Sequence, residues 1–165
     1  MTISWPFVTL TKMKYIILED IRSAYNVGAI FRTADASGVT KVFLVGYTPA
    51  PIDRFGRAQP EILKTSLGAS ATIPWEQVAT TREIIERLQA DGVTVAAVEL
   101  AEGSVSLKDF KEPGQVAYIV GNEVDGVTKE ALELADVIVE LPMLGQKESL
   151  NVSVTAGIVL YHGIS

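Results

Sequence analysis

Five short apolar runs constrain this chain more than any other feature: Lys14–Glu19 (KYIILE), Lys41–Val45 (KVFLV), Val93–Leu100 (VTVAAVEL), Val116–Val120 (VAYIV) and Val137–Leu141 (VIVEL). Each is apolar at consecutive rather than alternate positions. A strand of that kind must be covered on both faces, which is the habit of parallel sheets. Helical patterns lie between the runs. Val27, Ile30, Phe31, Ala34 and Gly38 recur at helical spacing, with Asn26 placed as N-cap and Gly38 as the stop. Thr80–Asp91 carries a hydroxyl cap with Glu83 three residues on. Thr128–Ala135 and the very apolar Asn151–Tyr161 complete the set. The alternation predicts one α/β domain spanning 1–165, a mostly parallel sheet with helices on both faces. Residues 1–13 form a short N-terminal extension, 46–60 a long loop, and 72–75 a further short strand. Ligands on such sheets bind beyond the carboxyl ends of the strands, which points to loops 20–26, 121–127 and 142–149.

Composition removes several kinds of chemistry. The chain has no cysteine and one histidine, His162. Thiolate metal sites, disulfides and cysteine nucleophiles are excluded, and no metal centre is expected. A Ser-His-Asp triad would have to use His162, which lies in an apolar segment and reads as structural. No apolar run reaches the roughly 18 residues of a membrane span, and the N-terminus lacks the pattern of a secretory signal. A cytoplasmic protein without membrane attachment is expected. The net charge is −6, but residues 1–72 sum to +3 and residues 73–165 to −9. A basic surface around Arg22, Arg32, Arg54, Arg57 and Lys64 is therefore compatible with an acidic total.

Three segments hold the candidate functional groups. In Asn26–Ala34 (NVGAIFRTA), Arg32 lies about 140° from Val27 on a helical wheel, off the apolar stripe and on a face with Gly28 and Asp35. Read locally it is either a surface arginine paired with Asp35 or a working group. The turn Gly121–Gly126 (GNEVDG) follows an apolar run directly, and it is either a plain strand-to-helix turn or a place where backbone meets a ligand. The third is LPMLGQKESLNVSVTAG, starting at Leu141. There Ser149 and Asn151 suit a helix cap, and the small residues Ser153, Thr155, Ala156 and Gly157 predict close packing against another segment or subunit.

In order and spacing, these segments resemble the three motifs of the SpoU family, the RNA ribose 2′-O-methyltransferase branch of the SPOUT (α/β-knot) superfamily. NVGAIFRTADASGV is similar to the first motif, IVGNEVDGV to the second and ELPMLGQKESLNVSVTAGI to the third. KTSLGAS at 64–70 matches a further family segment, and the likeness runs from about Lys14 to Tyr161. The resemblance implies a C-terminal deep trefoil knot, which pattern alone argues against because knotted chains are rare. It also implies a homodimer with the active site at or near the subunit interface. The implied activity is transfer of a methyl group from S-adenosylmethionine to a ribose 2′-OH of structured RNA, tRNA ahead of rRNA. The alternative is a non-catalytic RNA-binding or assembly protein of the same fold.

By the same resemblance, Gly121, Leu141 and Leu150 contact the cosubstrate mostly through backbone, and Leu100, Asn122, Met143 and Ser149 line its pocket. The family arginine matching Arg32 is the proposed activator of the hydroxyl. An arginine is a poor base, so stabilising a developing alkoxide or holding a phosphate suits it better. Asn26, Glu123, Ser149 and Asn151 would orient it. RNA contact is expected from the core, the dimer surface or a partner, with Arg22, Arg32, Arg54 and Arg57 as the cationic groups.

Overall fold

The computed structural model describes residues 12–164, so most of the 1–13 extension lies outside the described residues. Seven strands form one sheet: β1 (Met13–Glu19), β2 (Lys41–Val45), β3 (Trp75–Val78), β4 (Thr94–Val98), β5 (Val105–Ser106), β6 (Gln115–Val120) and β7 (Val137–Glu140). The order is β3-β2-β1-β6-β4-β7-β5, and every pairing is parallel. The direction in which successive strands are added across the sheet switches between β1 and β6. One branch runs outward through β2 and β3, and the other through β4, β7 and β5.

Consecutive residues of a strand point to opposite faces, and both faces are covered. Ile16, Leu18, Val42, Leu44, Tyr118 and Val120 pack under α1 (Ala24–Ala36), α2 (Pro60–Ser66), α3 (Ala69–Thr72) and α6 (Val152–Tyr161). Ile17, Phe43, Val45, Val95, Ala117 and Ile119 pack under α4 (Thr81–Ala90) and α5 (Lys129–Leu134). The apolar stripe of α1 is real: Val27, Ile30, Phe31 and Ala34 are fully buried. No helix among the described residues is long and apolar enough to cross a membrane.

Several local expectations change. The N-cap of α1 is Ser23, whose Oγ accepts the Asn26 N–H at 3.2 Å. Asn26 therefore lies inside the first turn, and its side chain is free for other partners. Segment 60–72 is helical, because Pro60 opens α2 at a position where a missing N–H costs nothing. The strand expected at 72–75 begins at Trp75 instead. The Ile73 N–H closes α3 on the Ala69 carbonyl, and pairing with β2 starts where the Pro74 carbonyl accepts the Val42 N–H. The short edge strand β5 has too few residues to leave an apolar run. Gly28, placed by periodicity on the Arg32 face, is buried, and a Cβ there would overlap Thr65 Oγ1 and the Ile62 carbonyl. It is the point at which α1 and α2 cross closely.

The far end of α6 is clamped from β1. Lys14 Nζ donates to the carbonyls of Leu160 (3.0 Å) and His162 (2.7 Å) and pairs with Glu112 at 3.0 Å. The Tyr118 hydroxyl donates to the same carboxylate at 2.6 Å, and burial, reinforced by that contact, pushes its pKa far up. His162 stacks on Phe110 and its Nε2 lies 2.9 Å from the Phe110 carbonyl, so the ring serves packing.

Candidate active site

The carboxyl ends of β4, β6 and β7 and the start of α6 enclose a cavity of about 460 Å³. Its wall includes all seven residues matched to the family's cosubstrate pocket: Leu100, Gly121, Asn122, Leu141, Met143, Ser149 and Leu150. Glu99 and Glu148, which the residue patterns did not single out, line it as well, as does Thr155 of the small-residue set. The wall mixes leucine, valine and methionine side chains with carboxylates, amides and hydroxyls, which suits a small organic ligand with both apolar and polar parts.

The 121–127 turn is shaped by its own contacts. A Cβ on Gly121 would overlap the backbone of Gly126 and Val127, so this glycine is required by the turn's close return as well as by any ligand. Gly126 has φ of +71°, and a Cβ there would overlap the Glu99 carboxylate. That carboxylate accepts the Val127 N–H at 3.0 Å. Asn122 Oδ1 accepts the N–H groups of Val124 and Asp125, which closes the turn. Its Nδ2 donates to the Asp20 carbonyl (2.9 Å) and the Tyr47 hydroxyl (2.7 Å), tying together the ends of β6, β1 and β2. Asp20 adopts φ of 52°, a left-handed conformation uncommon outside glycine. Neither Asp20 nor Tyr47 carried a signal in the sequence beyond following an apolar run.

A hydrogen-bond chain joins the three motif segments. Glu123 accepts from the N–H groups of Arg22 (3.0 Å) and Ser23 (3.1 Å), at the start of α1. Asn26 Nδ2 donates to Glu123 at 3.2 Å, and Asn26 Oδ1 faces Asn151 Nδ2 at 3.4 Å. Asn151 in turn caps α6, accepting the Ser153 N–H at 2.8 Å. Ser149 lies on the cavity wall rather than in this chain. Partial burial works to raise the Glu123 pKa, but the Arg22 and Ser23 N–H groups and the Asn26 amide outweigh it and hold it below the usual glutamate value. An ionised Glu123 at a helix start is an acceptor and an anchor, not a proton donor.

Its linkage has a definite sign. A lowered folded-state pKa contributes stability that is complete above the unfolded value and lost as pH falls through the folded one. The stability gap between wild type and Glu123→Gln should therefore be constant near neutrality and close on acidification. Denaturant melts of both proteins across that range check this.

Arg32 is elsewhere. It is exposed and lines a second groove with Tyr25, Lys64, Leu67 and Tyr161. Among the described residues it pairs with no carboxylate, so the alternative reading, a surface pair with Asp35, does not form. Of the small residues of α6, Ala156 is fully buried and Gly157 lies against Thr33 of α1, while Ser153 and Thr155 are half-buried. The stripe left exposed is instead large and apolar, Val154, Ile158 and Tyr161. Arg22 is exposed beside Glu123, and Arg54 and Arg57 lie apart from the cavity in the 46–59 loop.

The model of the SpoU rRNA Methylase family matches residues 13–161. The chain belongs to that family. It is 34% identical over 145 residues to the 23S rRNA (guanosine-2′-O-)-methyltransferase RlmB of Neisseria meningitidis, covering 88% of this chain and 55% of that one. It is also 34% identical over 150 residues to the tRNA (guanosine(18)-2′-O)-methyltransferase of Escherichia coli K12, covering 88% and 60%. Among solved structures, the AdoMet-bound rRNA methyltransferase of Sinorhizobium meliloti superposes with a TM-score of 0.82 at 32% identity, over 91% of this chain and 55% of that one. The chain thus spans a little over half the length of the curated relatives it matches. The parallel sheet with helices on both faces is the arrangement expected for this family.

Proposed function

We propose that this chain is a single SpoU-type domain that transfers a methyl group from S-adenosylmethionine to a ribose 2′-OH of structured RNA in the cytoplasm, with tRNA the first substrate class to test. The observation that carries the reading is the cavity, which gathers residues of the second and third motifs and is braced by Asn26 of the first. Its chemistry fits the cosubstrate. Leu100, Leu141 and Leu150 offer apolar surface to an adenine base and the aliphatic carbons beside a sulfonium, Leu100 being 61% and Leu150 41% exposed. Glu99 and Ser149 offer polar groups for hydroxyls and the amino-acid end, while the Asn122 side chain is spent on shaping the turn. When bound, S-adenosylmethionine supplies an electrophilic methyl on its sulfonium.

The protein's own part is to hold, orient and neutralise. The Glu123–Asn26–Asn151 chain fixes the cavity rim, and Ser149 and Asn151 stand where an incoming nucleotide is positioned. Arg32 stabilises negative charge on the 2′-oxygen or its neighbouring phosphate. Within one chain Arg32 lies outside the cavity, among exposed Tyr25, Leu67 and Tyr161 and on the side of the apolar α6 stripe. That supports a homodimer in which Arg32 serves the cavity of a second copy. The C-terminal knot implied by the family belongs to the same reading, with 141–151 as the segment beside the pocket.

Titration calorimetry with S-adenosylmethionine is expected to show one site per chain. Nucleoside mass spectrometry of bulk tRNA and rRNA incubated with protein and cosubstrate is expected to show a new 2′-O-methylated nucleoside. Binding without methylation of either RNA would favour the non-catalytic alternative, and no binding would overturn the enzyme reading.

A further inference from the structure

The 46–59 loop has a built tip that the methyl-transfer chemistry leaves unused. Asp53 organises it. Its Oδ1 accepts the N–H groups of Phe55 (2.8 Å) and Arg57 (2.9 Å), and its Oδ2 accepts Arg57 Nε at 2.8 Å. The Asp53 N–H returns to the Arg57 carbonyl at 2.9 Å, and an antiparallel bridge between Ile52 and Ala58 closes the base. Thus held, Phe55 is 66% exposed, with the Arg54 guanidinium 4.7 Å and the Arg57 guanidinium 5.1 Å from its ring centre. Tyr47, 60% exposed, shares a groove of about 640 Å³ with Arg54, Arg57, Gln59 and Gln77. Its hydroxyl accepts from Asn122, a wall residue of the active-site cavity.

An aromatic ring held on a turn beside two cations is poorly suited to an apolar partner, which would have to strip water from both guanidiniums. It suits a molecule with flat rings and negative charge together. An unpaired nucleotide has both, since bases stack on aromatic and guanidinium planes while phosphates take the charge. We infer that the Arg54–Phe55–Arg57 tip, with Tyr47 at its foot, binds an unstacked nucleotide of the RNA, the base on the aromatic–guanidinium stack and the phosphate against the arginines. The inference rests on the RNA-methyltransferase reading and names where that RNA is held. Through Tyr47 and Asn122 the platform is one hydrogen bond from the cavity wall.

The test uses the full chain and a single-stranded oligoribonucleotide carrying 2-aminopurine, whose fluorescence falls on stacking. Wild type is expected to quench it. Phe55→Leu keeps bulk but removes the π face, and should lose the quenching and weaken binding at least about fivefold. Phe55→Trp should restore both. S-adenosylmethionine binding by calorimetry should be unchanged in all three, which reports that they are folded. Wild-type affinity and quenching in Phe55→Leu would overturn the inference, as would polyglutamate competing equally well through a tip indifferent to Phe55. Failure of wild type to bind S-adenosylmethionine strikes the enzyme reading instead, and is read separately from the quenching.

Discussion

Arg32→Ala is expected to lower methyl transfer about a hundred- to a thousandfold, the usual cost of removing a donor aimed at developing negative charge. Calorimetric affinity for S-adenosylmethionine should stay at the wild-type value, because Arg32 is not part of the cavity wall. Arg32→Lys should remain impaired, since an ammonium lacks the planar fork that grips a phosphate or oxyanion. The position of Arg32 in a separate groove sharpens the test. Mixed dimers of Arg32→Ala with Asn151→Ala should recover activity, because one of the two sites then combines an intact Asn151 with the intact Arg32 of the other chain. If both residues served one site within a single chain, mixing would restore nothing. Wild-type rates in Arg32→Ala would remove the residue from the mechanism altogether.

Lys14→Ala should have the largest effect on stability. Lys14 and Glu112 have side chains only 8% and 3% exposed, and the lysine also satisfies two carbonyls at the end of α6. Removing one partner of a buried pair strands the other, at about 3–5 kcal/mol. For a domain of this size that corresponds to a fall in Tm of roughly 6–20 °C. Lys14→Met with Glu112→Leu should recover part of the loss, because no charge is then left unpaired. Recovery should be incomplete, since the buried Tyr118 hydroxyl loses its acceptor. Differential scanning calorimetry of the three proteins checks the order. A Lys14→Ala protein melting with wild type would show the pair to be dispensable.

How much of this was legible depended on what kind of interaction fixed each piece. The strands were readable because burial on both faces writes an uninterrupted apolar run, and β2 falls on Lys41–Val45 as expected. The caps Thr80 and Asn151 were readable because a hydroxyl or amide before an apolar helix has a local purpose. Ser23 was hidden behind Asn26, an equally good cap three residues later. α2 was obscured by the prolines and arginines around it. Its helical state owes much to Gly28 on another helix, which permits the close crossing. The cavity residues were identifiable only by resemblance, since nothing in their local spacing brings Leu100, Asn122 and Leu150 to one wall. Asp20, Tyr47 and Glu99 escaped even that, because their roles consist of hydrogen bonds to residues distant in sequence. The separation of Arg32 from the cavity could not be read from the chain at all, because it depends on how α1 is tilted against α2 and α6.

The clamp on α6 has a consequence for how the protein is made. Lys14 grips carbonyls 146 and 148 residues further along, and Asn26 meets Asn151 across 125. Contacts so distant in sequence form late, because the chain between them must first be ordered. On a ribosome, β1 emerges early and waits, its lysine and its neighbouring asparagine without their partners, until residues through His162 have cleared the exit tunnel. The sheet's first branch can assemble during synthesis, but the pocket cannot. The nascent chain therefore cannot assemble a complete pocket of its own until synthesis has passed α6.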